Sequence, residues 1–230
     1  MSLFAIGDLH LSFGVDKPMD VFMGWNDYVN RLEKNWKKLV KNDDTVVIMG
    51  DISWGINYDE AIPDLKWINE LPGKKILIKG NHDLWWDTTS KNNRVKEAEK
   101  LDNIEFLFNC CYEAEGVAVC GTRSWFYDAE ADENKKILNR EIGRLKASLN
   151  DAVSKGLRPI VFLHYPPLNV NEKCDEIIEV LKEYGIKECY YAHTHGYAIA
   201  TAFNGEHEGI KFRLLSADYL QFCPYLLINN

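Results

Sequence analysis

Five of the six histidines in this 230-residue sequence follow short apolar runs, close to two early aspartates and one asparagine. They occur as Asp8-Leu9-His10, Gly50-Asp51, Gly80-Asn81-His82-Asp83, a lone His164, and His193-Thr194-His195. Imidazole, carboxylate and amide oxygen form a donor set that suits manganese, iron, zinc or cobalt better than a thiolate-preferring metal. Residues two apart in an extended segment project to the same side, so His193 and His195 can address a common point. Singly, each element has an ordinary reading. Asp8 can cap a turn or helix, His10 can sit on the surface, and Asp51 can serve a turn beside Gly50. The run Gly80-Asn81-His82-Asp83 carries more chemistry than turning a chain requires. His164 ends the apolar run Ile160–Leu163 and precedes Tyr165-Pro166-Pro167, which stops a strand.

These residues need elements that bring distant segments to one place. Leu3–Ile6, Thr45–Met49 and Lys75–Ile78 read as strands, each running directly into one of the polar segments. Further strands are expected at Ile104–Phe108, Val117–Cys120, Pro159–Leu163, Glu188–Tyr191, Ala198–Phe203, Lys211–Leu215 and Tyr225–Ile228. Apolar residues at helical spacing predict helices over Tyr28–Val40, Tyr58–Leu71, Asn92–Leu101 and Glu133–Val153. A last helix, Asp175–Tyr184, is stopped by Gly185. Strands alternating with helices imply a largely parallel sheet early in the chain. The helix-poor stretch after Tyr197 implies a mixed or antiparallel one.

Taken in order, Asp-x-His, Gly-Asp, Gly-Asn-His-Asp, a lone His and His-x-His, spread over positions 8 to 196, resemble the calcineurin-like metallophosphoesterase superfamily. The resemblance implies an α/β fold, a four-layer α/β/β/α sandwich of two mixed β-sheets flanked by helices, as a single domain over residues 1–230. It implies two divalent or trivalent transition-metal ions (Mn, Fe or Zn) as cofactors. Asp8, His10 and His195 would hold one metal; Asn81, His164 and His193 would hold the other; Asp51 would bridge them. His82 would stand near the leaving group, with Asp83 orienting its ring through a hydrogen bond. Ala192 departs from the family's usual glycine before His-x-His. A positive φ at that position would cost alanine about 1 kcal/mol.

Such a site would cleave a phosphomonoester or phosphodiester of a small or medium-sized molecule. Two cations roughly 3.5–4 Å apart can hold a bridging hydroxide in line with phosphorus and neutralise charge on the other oxygens. The leaving oxygen then needs a proton, which an imidazole can supply near neutral pH. Arg123 is a candidate phosphate clamp, and Trp54, Trp86 and Trp125 are candidates for stacking on a flat leaving group. For any one tryptophan, core packing is the competing reading.

Composition narrows the substrate. With 27 basic and 35 acidic side chains the net charge is −8, which repels a phosphate polymer. A small phosphate ester is the expected partner, and long nucleic acid is not. A metal-dependent nuclease and a non-catalytic scaffold on the same fold are the alternatives; the scaffold would be expected to have lost ligands. The six cysteines show no Cys-x-x-Cys spacing and read as reduced core residues. No apolar run reaches the roughly 18 residues of a membrane span, so a cytoplasmic location is expected.

Overall fold

The computed structural model describes residues 1–125 and 132–229. The chain runs through β1 (Ser2–Ile6), α1 (Tyr28–Leu39), β2 (Thr45–Met49), α2 (Tyr58–Glu70), β3 (Lys74–Ile78), α3 (Thr89–Glu99) and β4 (Ile104–Phe106). It continues with β5 (Tyr112–Ala114), β6 (Val117–Thr122), α4 (Asp132–Ser154), β7 (Arg158–Leu163), α5 (Asp175–Glu183) and β8 (Glu188–Tyr191). A 3-10 helix (Gly196–Thr201), β9 (Gly205–His207), β10 (Ile210–Leu214) and β11 (Tyr225–Asn229) complete it.

Among the described residues the strands form a five-stranded sheet, β11-β1-β2-β3-β4, and a six-stranded sheet, β5-β6-β7-β8-β10-β9. In the first, β1 to β4 are parallel and β11 lies antiparallel on β1. In the second, β6, β7, β8 and β10 are parallel, flanked by antiparallel β5 and β9. Both sheets are mixed, as the family resemblance implies.

The pleat explains the four layers. Along β1 and β2, Phe4, Ile6, Val46 and Ile48 face a core shared with Leu32 and Trp36 of α1 and Leu65 and Ile68 of α2. The alternate residues Leu3, Ala5, Val47 and Met49 face a second core, where they meet Val119, Ile160, Phe162 and Tyr190 of the other sheet. A third core joins Cys120, Val161 and Leu163 to Leu145 and Leu149 of α4 and Ile177 and Leu181 of α5. Strands apolar on both faces are what a sheet buried between another sheet and a helical layer requires.

Two short edge strands carry no apolar alternation and escape sequence reading. Both belong to hairpins closed by two residues with positive φ, Glu115 (52°) with Gly116 (77°) and Glu208 (49°) with Gly209 (76°). That is the backbone sense of a type I′ turn, and the turn sets the pairing. The strand expected at Ala198–Phe203 is a correction: Gly196–Thr201 is a 3-10 helix. The segment closes local bonds, Ala198 N–H to His195 O and Ala202 N–H to Ile199 O, and its end makes only an isolated antiparallel bridge with Asn169. The third helix begins at Thr89, where the Thr88 side chain accepts from the Lys91 amide as an N-cap, earlier than apolar spacing indicates. Gly185, with φ 65°, follows α5 as expected. No helix among the described residues is long and apolar enough to cross a membrane.

Asp64 of α2 is buried beneath the loops that follow β1 and β2. Its carboxylate accepts the Phe13 amide at 2.7 Å and the Ser53 hydroxyl. Burial pushes its pKa up to about 6, and the two hydrogen bonds only partly offset this. The folded chain then keeps a proton that the unfolded chain releases near pH 3.8. Stability from this group therefore falls as pH rises from about 4 to about 6 and stays level above. Asp64→Asn should remove that fall, gaining on the order of 2 kcal/mol at neutral pH relative to about pH 4. Denaturant unfolding at the two pH values tests this; an unchanged profile would assign the titration to another group.

Candidate metal centre

All the chemically suggestive segments lie just beyond the carboxyl ends of parallel strands: Asp8 and His10 after β1, Asp51 after β2, Asn81 and His82 after β3, His164 after β7, and His193 and His195 after β8. Ligands of open α/β sheets collect at this end, because chains leaving neighbouring strands diverge there and open a crevice. Asp8, His10, Asp51 and His193 have positive φ values of 60°, 46°, 49° and 70°. Non-glycine residues in this region carry strain that the surrounding structure must hold in place.

Glycines allow the loops to close. A Cβ on Gly80 would lie 2.2 Å from Asp51 Oδ1, and one on Gly7 would lie 2.5 Å from the Cβ of Ala192. The positive φ falls on His193, so Ala192 carries none of the penalty its position suggested. Its methyl group is accommodated because position 7 is bare.

The side chains form two adjacent groups that could each hold a cation: Asp8, His10 and His195, and Asp51, His164 and His193. Within each group one ligand atom per residue lies within 4.8 Å of the others. Asp51 faces both, with Oδ2 3.8 Å from His10 Nε2 and Oδ1 3.5 Å from His164 Nε2. Asn81 Oδ1 lies 2.7 Å from His164 Nε2 and so adds an amide oxygen to the second group.

The imidazoles are oriented from behind. His164 Nδ1 donates to Met49 O at 2.9 Å, and His195 Nδ1 lies 3.1 Å from Asp218 Oδ1. Each Nε2 is thereby turned toward the cluster, the arrangement metal-binding histidines favour. The Tyr28 hydroxyl donates to His10 O at 2.8 Å and fixes that turn. The Asp8 side chain accepts the His193 amide at 2.9 Å and ties the two sheets together.

The donor set fits a cation better than it fits itself. His10 Nε2 and His195 Nε2 face each other at 3.3 Å, and Asp8 Oδ1, although fully buried, accepts no hydrogen bond from the described residues. Burial, then the charge of Asp8, raises Asp51 to about 7. Burial lowers His193 to about 4, helped by His164. Burial opposes the charged form of His195, but Asp8 and Asp218 outweigh it and lift the ring to about 10. Carboxylates that repel one another and imidazoles that oppose one another become compatible when positive charge stands between them.

His82 lies on the rim of the cluster, half-buried, its ring 5.8 Å from that of His10 and 4.4 Å from that of Trp54. Asp83 does not orient it, which corrects the expectation. Its oxygens accept from Gly80 N at 2.7 Å, Ile52 N at 2.8 Å, Ser53 N at 3.3 Å and Trp85 Nε1 at 3.2 Å. Asp83 thus staples the loop after β2 to the loop after β3. The candidate pocket residues separate in the same way. Trp54 stacks on His10, with ring centroids 4.8 Å apart. Trp86 is buried in the helix-side core against Phe106, so it packs the fold and does not line the pocket. Trp125 packs on Tyr165, which in turn touches His193. Arg123 points to Glu141 at 3.7 Å and lies over the Trp125 ring.

Asp218 has no place in the sequence reading. Besides His195, it accepts the amides of Gly196 at 3.0 Å and Tyr219 at 2.9 Å. Asp218→Asn preserves the shape but removes the charge behind His195, so metal affinity should fall about 10–100-fold. Chelator competition measures this, and unchanged affinity would leave Asp218 a turn residue.

Two adjacent groups of carboxylate and imidazole donors at the carboxyl ends of the strands fit a metal-dependent phosphoesterase. A family model for calcineurin-like phosphoesterases matches residues 1–197, and the chain belongs to that family. A 52-residue stretch is 52% identical to Gene 66 protein of Mycobacterium phage L5, covering 23% of this chain and 25% of that relative. Among solved structures, phosphopantetheinyl hydrolase from Mycobacterium tuberculosis is similar over 100% of this chain and 96% of its own, with a TM-score of 0.59 at 14% identity. A protein of unknown function from Aquifex aeolicus is similar over 98% and 95% of the two chains, with a TM-score of 0.51 at 17% identity. At these identities the likeness concerns the fold.

Proposed function

We propose that this chain is a dinuclear-metal-dependent phosphohydrolase acting on a phosphomonoester or phosphodiester of a small or medium-sized molecule. The observation that carries this is the placement of Asp51, whose two oxygens address His10 on one side and His164 on the other. In this reading Asp8, His10 and His195 hold one ion, Asn81, His164 and His193 hold the other, and Asp51 belongs to both. When bound, the two cations supply Lewis acidity and bring the pKa of water toward neutrality. Manganese, iron and zinc all suit the donors. His82, on the rim of the cluster, would pass a proton to the leaving oxygen in this reading, and Asp83 would act only by holding the loop that carries it. A scaffold role is disfavoured because every ligand position is present, and the net charge of −8 disfavours a nuclease. Six free thiols accord with a cytoplasmic location.

The test is hydrolysis of p-nitrophenyl phosphate and bis-p-nitrophenyl phosphate by metal-stripped protein after adding back manganese, iron or zinc. A metal-dependent rate on either ester is expected, and their ratio gives the ester class. No turnover with any metal, despite two bound ions per chain, would overturn the reading.

A further inference from the structure

Beside the histidine cluster lies a cavity of about 360 Å³ with an unusual lining. Its floor is made by the rings of His10, His82 and His195, and its walls by Met19, Trp25 and Trp54. The size falls within the range of small-molecule sites. Around its mouth stand Phe22, Met23 and Tyr197, which are 57%, 82% and 89% exposed. Large apolar side chains gathered at the mouth of a cavity mark a surface that something covers.

We propose that this cavity receives the organic leaving group of the substrate and selects an apolar one, aromatic or alkyl, over a sugar or other polar group. The inference rests on the phosphohydrolase reading above. Three observations carry it. First, the cavity and the cluster share His10 and His195, so an ester held at the cluster has this space next to it. Second, His82 lies on the floor with Trp54 beside it at 4.4 Å, which puts the cavity on the leaving-group side. Third, apart from the imidazoles, the lining is apolar save for the indole N–H groups of Trp25 and Trp54 and the hydroxyl of Tyr197 at the exposed mouth. The several hydroxyls of a sugar would lose water there and find few partners. A smaller cavity of about 190 Å³ on the far flank of His195 makes the contrast, since Asn169, Thr194 and Thr201 supply it with hydrogen-bonding groups. Methionine beside aromatic rings lets one wall adapt to flat or flexible groups. A concave surface opening onto three imidazoles suits a small ester better than a second copy of the chain.

The experiment titrates metal-loaded protein calorimetrically with methylphosphonate, phenylphosphonate and hexylphosphonate. Burying a methylene is worth about fourfold in affinity, so phenyl and hexyl should each bind at least about tenfold tighter than methyl. In a Phe22→Ser, Met23→Ser, Tyr197→Ser variant that advantage should shrink to about threefold or less. These side chains are exposed, so the fold should survive their loss, with metal content and melting temperature as controls. Equal affinities across the series, or an advantage unchanged in the variant, would overturn the inference while leaving metal-dependent hydrolysis of the nitrophenyl esters intact. A dimer that the variant dissolves, with selectivity unchanged, would assign the patch to a copy of the chain and overturn it too. Absence of that hydrolysis with every metal would instead remove the underlying reading and this inference with it.

Discussion

Asp51→Asn should abolish metal-dependent hydrolysis and lower the metal content below two ions per chain. The substitution changes one atom and almost no volume, so its effect is chemical. Asp51 is 1% exposed, and its Oδ1 accepts the His82 amide at 2.8 Å while also facing His164. Its Oδ2 faces His10. An amide keeps one acceptor oxygen but presents an N–H group to the other side, where it is repelled by any cation and offers no lone pair. Whichever way the amide turns, one of the two groups loses its shared ligand. Replacing a residue that merely supports a ligand costs 10–100-fold in affinity or activity, so losing a shared ligand should cost more than about 100-fold. Metal analysis by atomic emission, alongside the rate on both nitrophenyl esters, gives the answer. Two tightly bound ions with a near-normal rate would show that Asp51 does not bridge.

The positions of these donors were legible because the physics that builds the sheets also ends them. Apolar runs such as Thr45–Met49 can extend only while both faces are covered, and each breaks at a glycine or a polar residue where the crevice opens. The runs show that both faces of a strand are covered, and the four-layer arrangement itself is what the family resemblance implies. What could not be read depends on contacts between segments distant in the chain. Trp54 and Trp86 both follow a candidate ligand closely, yet one stacks on His10 and the other packs on Phe106. Asp83 stands next to His82 in sequence, but consecutive side chains diverge, and the backbone amides of Gly80, Ile52 and Ser53 reach its carboxylate first. Asp218 had one available signal, a carboxylate a few residues after the alternating strand β10.

His82→Asn should separate proton transfer from metal binding. The ring of His82 lies outside both donor groups, and its amide, which bonds Asp51, is unaffected by the change of side chain. Metal content should therefore stay at the wild-type level while turnover falls. The size of the fall should depend on the ester. A p-nitrophenolate group departs as an anion and gains little from a proton, so its rate should drop less than about tenfold. An alkyl or phenyl ester needs the proton, and its rate should drop about 10²-fold or more, the usual contribution of a positioned acid. Burial, together with His164 and the Lys17 ammonium, holds the His82 pKa below the ordinary imidazole value, and Asp83 makes no hydrogen bond to counter this. The charged form is then the minor one at neutral pH, and a weakly held proton is readily given up. In wild-type protein the advantage over the variant should grow as pH falls toward that lowered pKa, because more of the ring is then charged. Rates for a series of esters with leaving groups of graded basicity, measured at two pH values, would show a steeper dependence on leaving group in the variant. An equal loss for every ester would assign His82 to positioning the phosphate instead of protonating the departing oxygen.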